Sequence, residues 1–154
     1  MTSNGGGVFN KTGGSATITL CTLSTNMANG DGGAIYNDGA SSGTVTATYL
    51  GCVFQGNMAG VESSGSGGAV FNNGSQTGNT NPIFKQCNFE NNSVLTDHGG
   101  AMYNLGTKGN GNCSPSIINC RFYNNSGYAA GAIYNNGSEN GNSNPTIINS
   151  TFVE

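Results

Sequence analysis

The chain has 154 residues, a formal net charge of −3 and only 7% charged residues, with 27 glycines and no tryptophan. Four Lys and Arg residues give phosphate backbones no basic surface, so nucleic acid is excluded as a partner. No apolar run is long enough to span a membrane, and residues 1–5 lack the features of a signal peptide, so we expect any export signal to lie outside this sequence.

One six-residue sequence motif, called here the first phrase, occurs five times and marks successive repeat units. In chain order it reads GGGVFN, GGAIYN, GGAVFN, GGAMYN and AGAIYN. Its aliphatic members are Val8, Ile35, Val70, Met102 and Ile133. They are 27, 35, 32 and 31 residues apart, which predicts five imperfect units starting near residues 5, 32, 67, 99 and 130.

Each unit contains two further short segments with strand-forming composition. The first is an apolar run that follows Pro82, Pro115 and Pro145 in the last three units, with Ile18 and Tyr49 at the matching places earlier. The second reads Cys-x-Phe-x-x-Asn and begins at Cys21, Cys52, Cys87 and Cys120, with Ser150 in the last unit. Three strands per unit are therefore predicted, separated by Gly, Asn and Ser.

These features predict an all-β fold, a right-handed parallel β-helix of about five coils with three short strands per coil. Each coil would lie on the previous one at a spacing of roughly 4.8 Å. The composition excludes a helical repeat, because Gly, Asn, Ser and Thr dominate and no segment has apolar residues at helical spacing. We expect residues 1–154 to form one domain.

The alternation of side chains along a strand predicts which residues point inward. The predicted cysteine column is Cys21, Cys52, Cys87 and Cys120, and it is expected to be reduced and to pack as small apolar residues. The predicted phenylalanine column is Phe54, Phe89, Phe122 and Phe152, with Leu23 in the first unit. The aliphatic members of the first phrase form a third inward column.

The residues beside that third column must face the other way. Phe9, Tyr36, Phe71, Tyr103 and Tyr134 are therefore expected to stack on the outer face or under a covering loop. The asparagines that end the Cys-x-Phe-x-x-Asn phrase should form a ladder of amides, and they are Asn26, Asn57, Asn92 and Asn125. The paired glycines of the first phrase are expected to supply positive φ or a close backbone approach.

With these phrases in place, the chain resembles the repeat region of the chlamydial polymorphic membrane proteins and related bacterial surface proteins. The hallmark GGA plus an aliphatic residue stands at residues 32–35, 67–70 and 99–102, and FxxN stands at 54–57, 89–92 and 122–125. The resemblance implies a β-helical passenger region of an exported surface protein, located outside the cell or at its surface, with a role in adhesion or display. It implies no particular ligand.

The sequence predicts no catalytic, cofactor-binding or metal-binding residues. The seven acidic residues occupy different repeat positions, so no catalytic pair is evident, and we predict that the chain is not an enzyme. His98 beside Asp97 is interpreted as a solvated loop residue rather than a metal or acid–base site. Cys113 breaks the cysteine pattern and is predicted to be a more exposed thiol.

Three functional hypotheses remain open. In the first, the chain is a structural or adhesive module cut from a longer array, whose loops at residues 60–66, 74–81, 106–112 and 137–144 contact a host surface or glycan. In the second, it is a protomer that stacks end to end with identical chains into an extracellular filament. A polysaccharide-binding, ice-binding or polysaccharide-degrading β-helix is a weaker third hypothesis.

Overall fold

The computed structural model describes residues 3–153, and the regular elements in that range are all β-strands. The predicted parallel β-helix is confirmed. It makes four turns from Val8 to Ile133 and most of a fifth, with three principal strands per turn. Its handedness stays a prediction. Among the described residues there is no helix of the length and apolarity needed to cross a membrane.

Sheet A is formed by the strands of the first phrase, which lie side by side in chain order. Its strands are Val8–Lys11, Ile35–Asp38, Val70–Asn73, Met102–Leu105 and Ile133–Asn136. Every pairing is parallel and in register, so equivalent residues of the phrase lie opposite one another. Side chains at the same repeat position are therefore stacked along the axis of the solenoid.

Sheets B and C are formed in the same way by the other two strands of each turn. The strands of sheet B are Thr17–Thr19, Thr48–Leu50, Ile83–Lys85, Ser116–Ile118 and Thr146–Ile148. Those of sheet C are Thr22–Ser24, Val53–Gln55, Asn88–Glu90, Arg121–Tyr123 and Thr151–Val153. Both sheets are parallel throughout.

Two short ladders fill the connections between these sheets. One contains the two-residue strands Met27–Ala28, Met58–Ala59 and Ser93–Val94. The other contains Thr44–Val45 and Asn79–Thr80, and single bridges extend it to Asn112 and Asn142. The segments at 74–81, 106–112 and 137–144 are therefore stacked on one another by backbone hydrogen bonds, not held as free loops.

The paired glycines of the first phrase have the two predicted roles. The first glycine has positive φ, 68° at Gly32 and Gly67 and 70° at Gly99. The second lies against the next turn, because a Cβ added to Gly68 would be only 2.0 Å from the carbonyl oxygen of Gly100. A side chain at Gly68 would therefore push two turns of the backbone apart.

Two further corners, one at each end of sheet C, also use the left-handed region. Five residues form the first corner, with φ between 46° and 61°: Leu20, Gly51, Gln86, Asn119 and Asn149. Four form the second, with φ between 49° and 60°: Thr25, Gly56, Asn91 and Asn124. The first turn thus places a leucine and a β-branched threonine where other turns have glycine, glutamine or asparagine.

The core lies between the three sheets and contains the predicted inward residues of the middle turns. Phe54, Phe84 and Phe89 are fully buried, and Tyr49 packs edge-on against Phe54. Residues of the first and last turns are less buried, because a neighbouring turn covers them on one side only. Phe152 is 46% exposed for this reason, and Cys21 is also exposed.

The prediction for Cys113 was wrong, because this thiol is fully buried. It lies in the stacked segment beside Thr80 and Ser143, and its Sγ lies 3.4 Å from the carbonyl oxygen of Asn72. Burial raises the pKa of the Cys113 thiol. The sequence pattern around it looked like a loop, and the error follows from that interpretation.

Candidate functional site

The asparagines of the FxxN phrase donate to one another along the axis. Asn26 Nδ2 donates to Asn57 Oδ1, and Asn57 Nδ2 donates to Asn92 Oδ1, both at 2.9 Å. Asn92 Nδ2 donates to Asn125 Oδ1 at the same distance. Each acceptor oxygen also receives the backbone N–H of the asparagine one turn earlier. The amides therefore hold successive corners of the solenoid together.

A second asparagine ladder runs through sheet A and was not predicted. Its members are Asn10, Asn37, Asn72, Asn104 and Asn135. Each Nδ2 donates to the Oδ1 of the next member at 2.7 to 2.8 Å, and the three middle members are fully buried. The asparagine that ends every copy of the first phrase was the sequence feature from which this ladder could have been predicted.

The aromatic residues of the first phrase form the predicted stack. Adjacent ring centroids are 5.0 to 5.2 Å apart along the stack, and the first three pairs are within 6° of parallel. Tyr36, Phe71 and Tyr103 are buried in a cluster separate from the main core. Burial raises the pKa of Tyr36 to about 12. The middle of this stack is therefore covered, whereas Phe9 at its first end is 49% exposed.

The cysteine column contains four free thiols, of which Cys52, Cys87 and Cys120 are buried. Each of these three thiols lies within 3.5 Å of a carbonyl oxygen in its own turn and of one in the preceding turn. The neighbouring Cys120 thiol and burial together raise the pKa of the Cys87 thiol. Among residues 3–153, no three His, Cys, Asp or Glu side chains converge on a common point.

One edge of the solenoid carries the segments that differ most between turns. We call it the loop edge, and it consists of residues 29–31, 60–66, 95–98 and 127–130. The separation between the FxxN asparagine and the next first phrase is 6, 10, 7 and 5 positions in successive turns. By contrast, the connection from Asn37, Asn72 or Asn104 to the following cysteine takes 15, 15 or 16 positions. In length, the predicted variable segments at 74–81 and 106–112 therefore differ little, whereas residues 60–66 belong to the longest connection of the loop edge.

Polar contacts join neighbouring loops of the loop edge. Asn29 Nδ2 donates to Glu62 Oε2 at 2.9 Å, and the Ser66 N–H donates to Asp31 Oδ1 at 2.8 Å. The backbone N–H of Tyr128 donates to the Asp97 carbonyl at 2.9 Å. The pKa of the Asp31 carboxyl is raised, chiefly by burial and further by the charge of Asp97, while the Ser66 hydrogen bond acts against the rise.

The loop edge also exposes apolar groups. Leu95 is 63% exposed and Tyr128 is 81% exposed. His98 contacts the Asp97 carboxylate and places its ring edge against Tyr134, with centroids 4.4 Å apart. His98 is therefore not the freely solvated loop residue that the sequence suggested. It lies at the junction of the loop edge and the aromatic stack.

These observations define a parallel β-solenoid in which recurring side chains form the interior. Residues 20–38 match the repeat described as the Chlamydia polymorphic membrane protein repeat. This match confirms the resemblance predicted from the sequence over the segment it covers, which includes the first FxxN variant and the first GGAI phrase. Neither a curated protein nor a solved structure matches the chain significantly.

Proposed function

We propose that the chain is a non-enzymatic repeat module of an exported bacterial surface protein, and that it displays the loop edge to a ligand on a host surface. The observation that carries this proposal is the division of residues between interior and surface. The glycines, phenylalanines and asparagines of the two hallmark phrases are occupied by contacts between turns. The sequence of the loop edge varies from turn to turn without disturbing these contacts between turns.

The composition of the loop edge indicates the ligand chemistry. Asp31, Glu62 and Asp97 supply negative charge, whereas the four Lys and Arg residues of the chain all lie elsewhere. Leu95 and Tyr128 add exposed apolar surface beside these carboxylates. A ligand with basic groups next to an apolar patch is therefore favoured over an acidic glycan.

The proposal can be tested with beads coated with the purified chain and mixed with cultured animal cells, with binding counted by flow cytometry. We expect the double variant Leu95→Ser/Tyr128→Ser to reduce binding at least fivefold. The matched control is Ile83→Ser, which removes a 41% exposed apolar side chain from sheet B and should leave binding unchanged. Equal binding by all three proteins would contradict a role for the loop edge.

End-to-end self-association is a second candidate, and the direction of the asparagine ladders favours it. Every amide of the sheet A ladder donates from an earlier turn to a later one, so this ladder runs head to tail along the axis. Such contacts do not close on themselves and could propagate between chains. Negative-stain microscopy with light scattering over a concentration series tests this. Ordered filaments would support it, and a monomer at every concentration would contradict it.

A further inference from the structure

The buried thiols of the cysteine column repeat by simple translation from turn to turn. Cys87 Sγ lies 3.5 Å from the Lys85 carbonyl oxygen and 3.4 Å from that of Tyr49 in the preceding turn. Cys52 and Cys120 each make the equivalent pair of contacts at 3.4 to 3.5 Å. The same contacts in three turns require the same side-chain rotamer, so the sulfurs are separated by the spacing between turns.

The neighbouring phenylalanine column gives that spacing directly. Ring centroids of Phe54 and Phe89, and of Phe89 and Phe122, are 4.6 Å apart, with planes within 3° of parallel. A metal–thiolate bond of about 2.3 Å, the value for zinc, would place two sulfurs about 4.6 Å apart on opposite sides of one ion. Adjacent thiols of the column are thus spaced for an ion with two ligands in a line.

We propose that the cysteine column binds soft d10 cations of the copper(I) class, each held between the sulfurs of two adjacent turns. Thiolate ligands select soft ions of this kind. Zinc would need four ligands in a tetrahedron, and in the described part of the chain no third His, Cys, Asp or Glu joins a pair of these sulfurs. Two-ligand linear coordination is common for copper(I) and silver(I) and rare for zinc.

Charge balance determines how many protons are released when an ion binds. Cys52 and Cys87 are fully buried, so a net charge left on the column would carry a large desolvation cost. Each unit of positive charge therefore displaces one thiol proton into solvent, and the remaining thiol of the pair keeps its proton as a neutral ligand. One silver(I) ion should release one proton.

The test uses silver nitrate in chloride-free buffer, because silver(I) binds like copper(I) without redox chemistry. Two double variants keep the same number of thiols. Cys113→Ser/Cys120→Ser retains Cys21, Cys52 and Cys87 in adjacent turns of the column, whereas Cys52→Ser/Cys120→Ser leaves no two thiols of the column in adjacent turns. We expect the first variant to bind silver at least tenfold more tightly than the second, and its melting temperature to rise with silver.

Equal silver affinity in the two variants, each shown to be folded by circular dichroism, would overturn the proposal. A second measurement does not depend on the variants. X-ray absorption of the silver-loaded natural chain should find two sulfur ligands per ion, and titration should find one proton released per ion. Three or four ligands, or release of no proton, would contradict the proposed site.

Discussion

The hydroxyl of Tyr49 in sheet B donates to the Oδ1 of Asn37 in sheet A at 2.9 Å, joining two sheets through the interior. The same oxygen accepts from Asn10 Nδ2 at 2.7 Å, and Asn37 Nδ2 donates to Asn72 at 2.7 Å. One buried amide therefore connects three turns and two sheets. Burial raises the pKa of Tyr49, so the phenol stays protonated and available as a donor.

Replacing Asn37 by Ala should lower the free energy of unfolding by about 3 kcal/mol, because Asn10, Tyr49 and Asn72 would each lose a partner in or near the core. Tyr49→Phe should cost only about 1 kcal/mol, since Asn37 Oδ1 keeps its bond from Asn10. Urea denaturation of both variants checks this. A larger loss for Tyr49→Phe than for Asn37→Ala would contradict the assignment of Asn37 as the connecting group.

Phe89 stacks between Phe54 and Phe122 and is fully buried. Phe89→Ala should therefore cost roughly 3 to 5 kcal/mol through lost burial and the cavity left behind. The exposed Glu139 serves as the control, and Glu139→Gln should change stability by less than about 0.5 kcal/mol. Small, equal effects in denaturant melts would refute an inward phenylalanine column.

Thr25 has a φ of 52°, a conformation that a β-branched residue adopts at a cost of about 1 to 2 kcal/mol. Asn91 and Asn124 occupy the equivalent corner two and three turns later. Thr25→Asn should therefore raise the free energy of unfolding by about 1 kcal/mol. Thr22→Asn in the adjacent strand is the control and should not stabilise, because strands disfavour Asn. An unchanged or lower melting temperature for Thr25→Asn would contradict the expected relief of strain.

Asp31 should make the stability of the protein depend on pH. Its pKa is raised above the ordinary 3.8 in the folded state, mainly by burial. Between pH 3.8 and the folded pKa, the folded chain therefore binds more protons than the unfolded chain. The contribution of Asp31 to stability is therefore greatest below pH 3.8 and decreases as the pH rises through its folded pKa.

Asp31→Asn should remove this loss while its side-chain oxygen still accepts the Ser66 N–H. The variant is expected to have a higher free energy of unfolding than the natural chain at pH 7. At low pH the two free energies of unfolding should be more nearly equal. Urea midpoints measured for both proteins from pH 3.5 to 7 check the difference. Identical pH profiles would contradict the assignment.

Much of the fold followed from the sequence because each inward column repeats one residue type. The Gly-Gly-Ala phrase predicted the positive φ at Gly32, Gly67 and Gly99, and the spacing of cysteine and phenylalanine predicted their shared side of the strand. These features depend on local pattern alone, which a single sequence contains.

Other features were not predictable in this way. Cys113 is buried because its segment pairs with Thr80 and Ser143 of adjacent turns, and such pairing depends on how connections of similar length stack. The left-handed corners at Leu20 and Gln86 are set by the turn geometry against residue preference. The loop edge could be recognised only from the positions of its four segments in space.

The in-register pairing of Ile35 with Val70 and of Val70 with Met102 means that each turn presents nearly the same contacts above and below. Removing residues 67–98 would bring Met102 opposite Ile35, with phenylalanine, asparagine and cysteine still matched to their own kind. A gene that encodes such a protein can therefore gain or lose whole turns by recombination between its repeats. The length of the solenoid and the set of loops along it would change. The contacts between the turns that remain would stay the same.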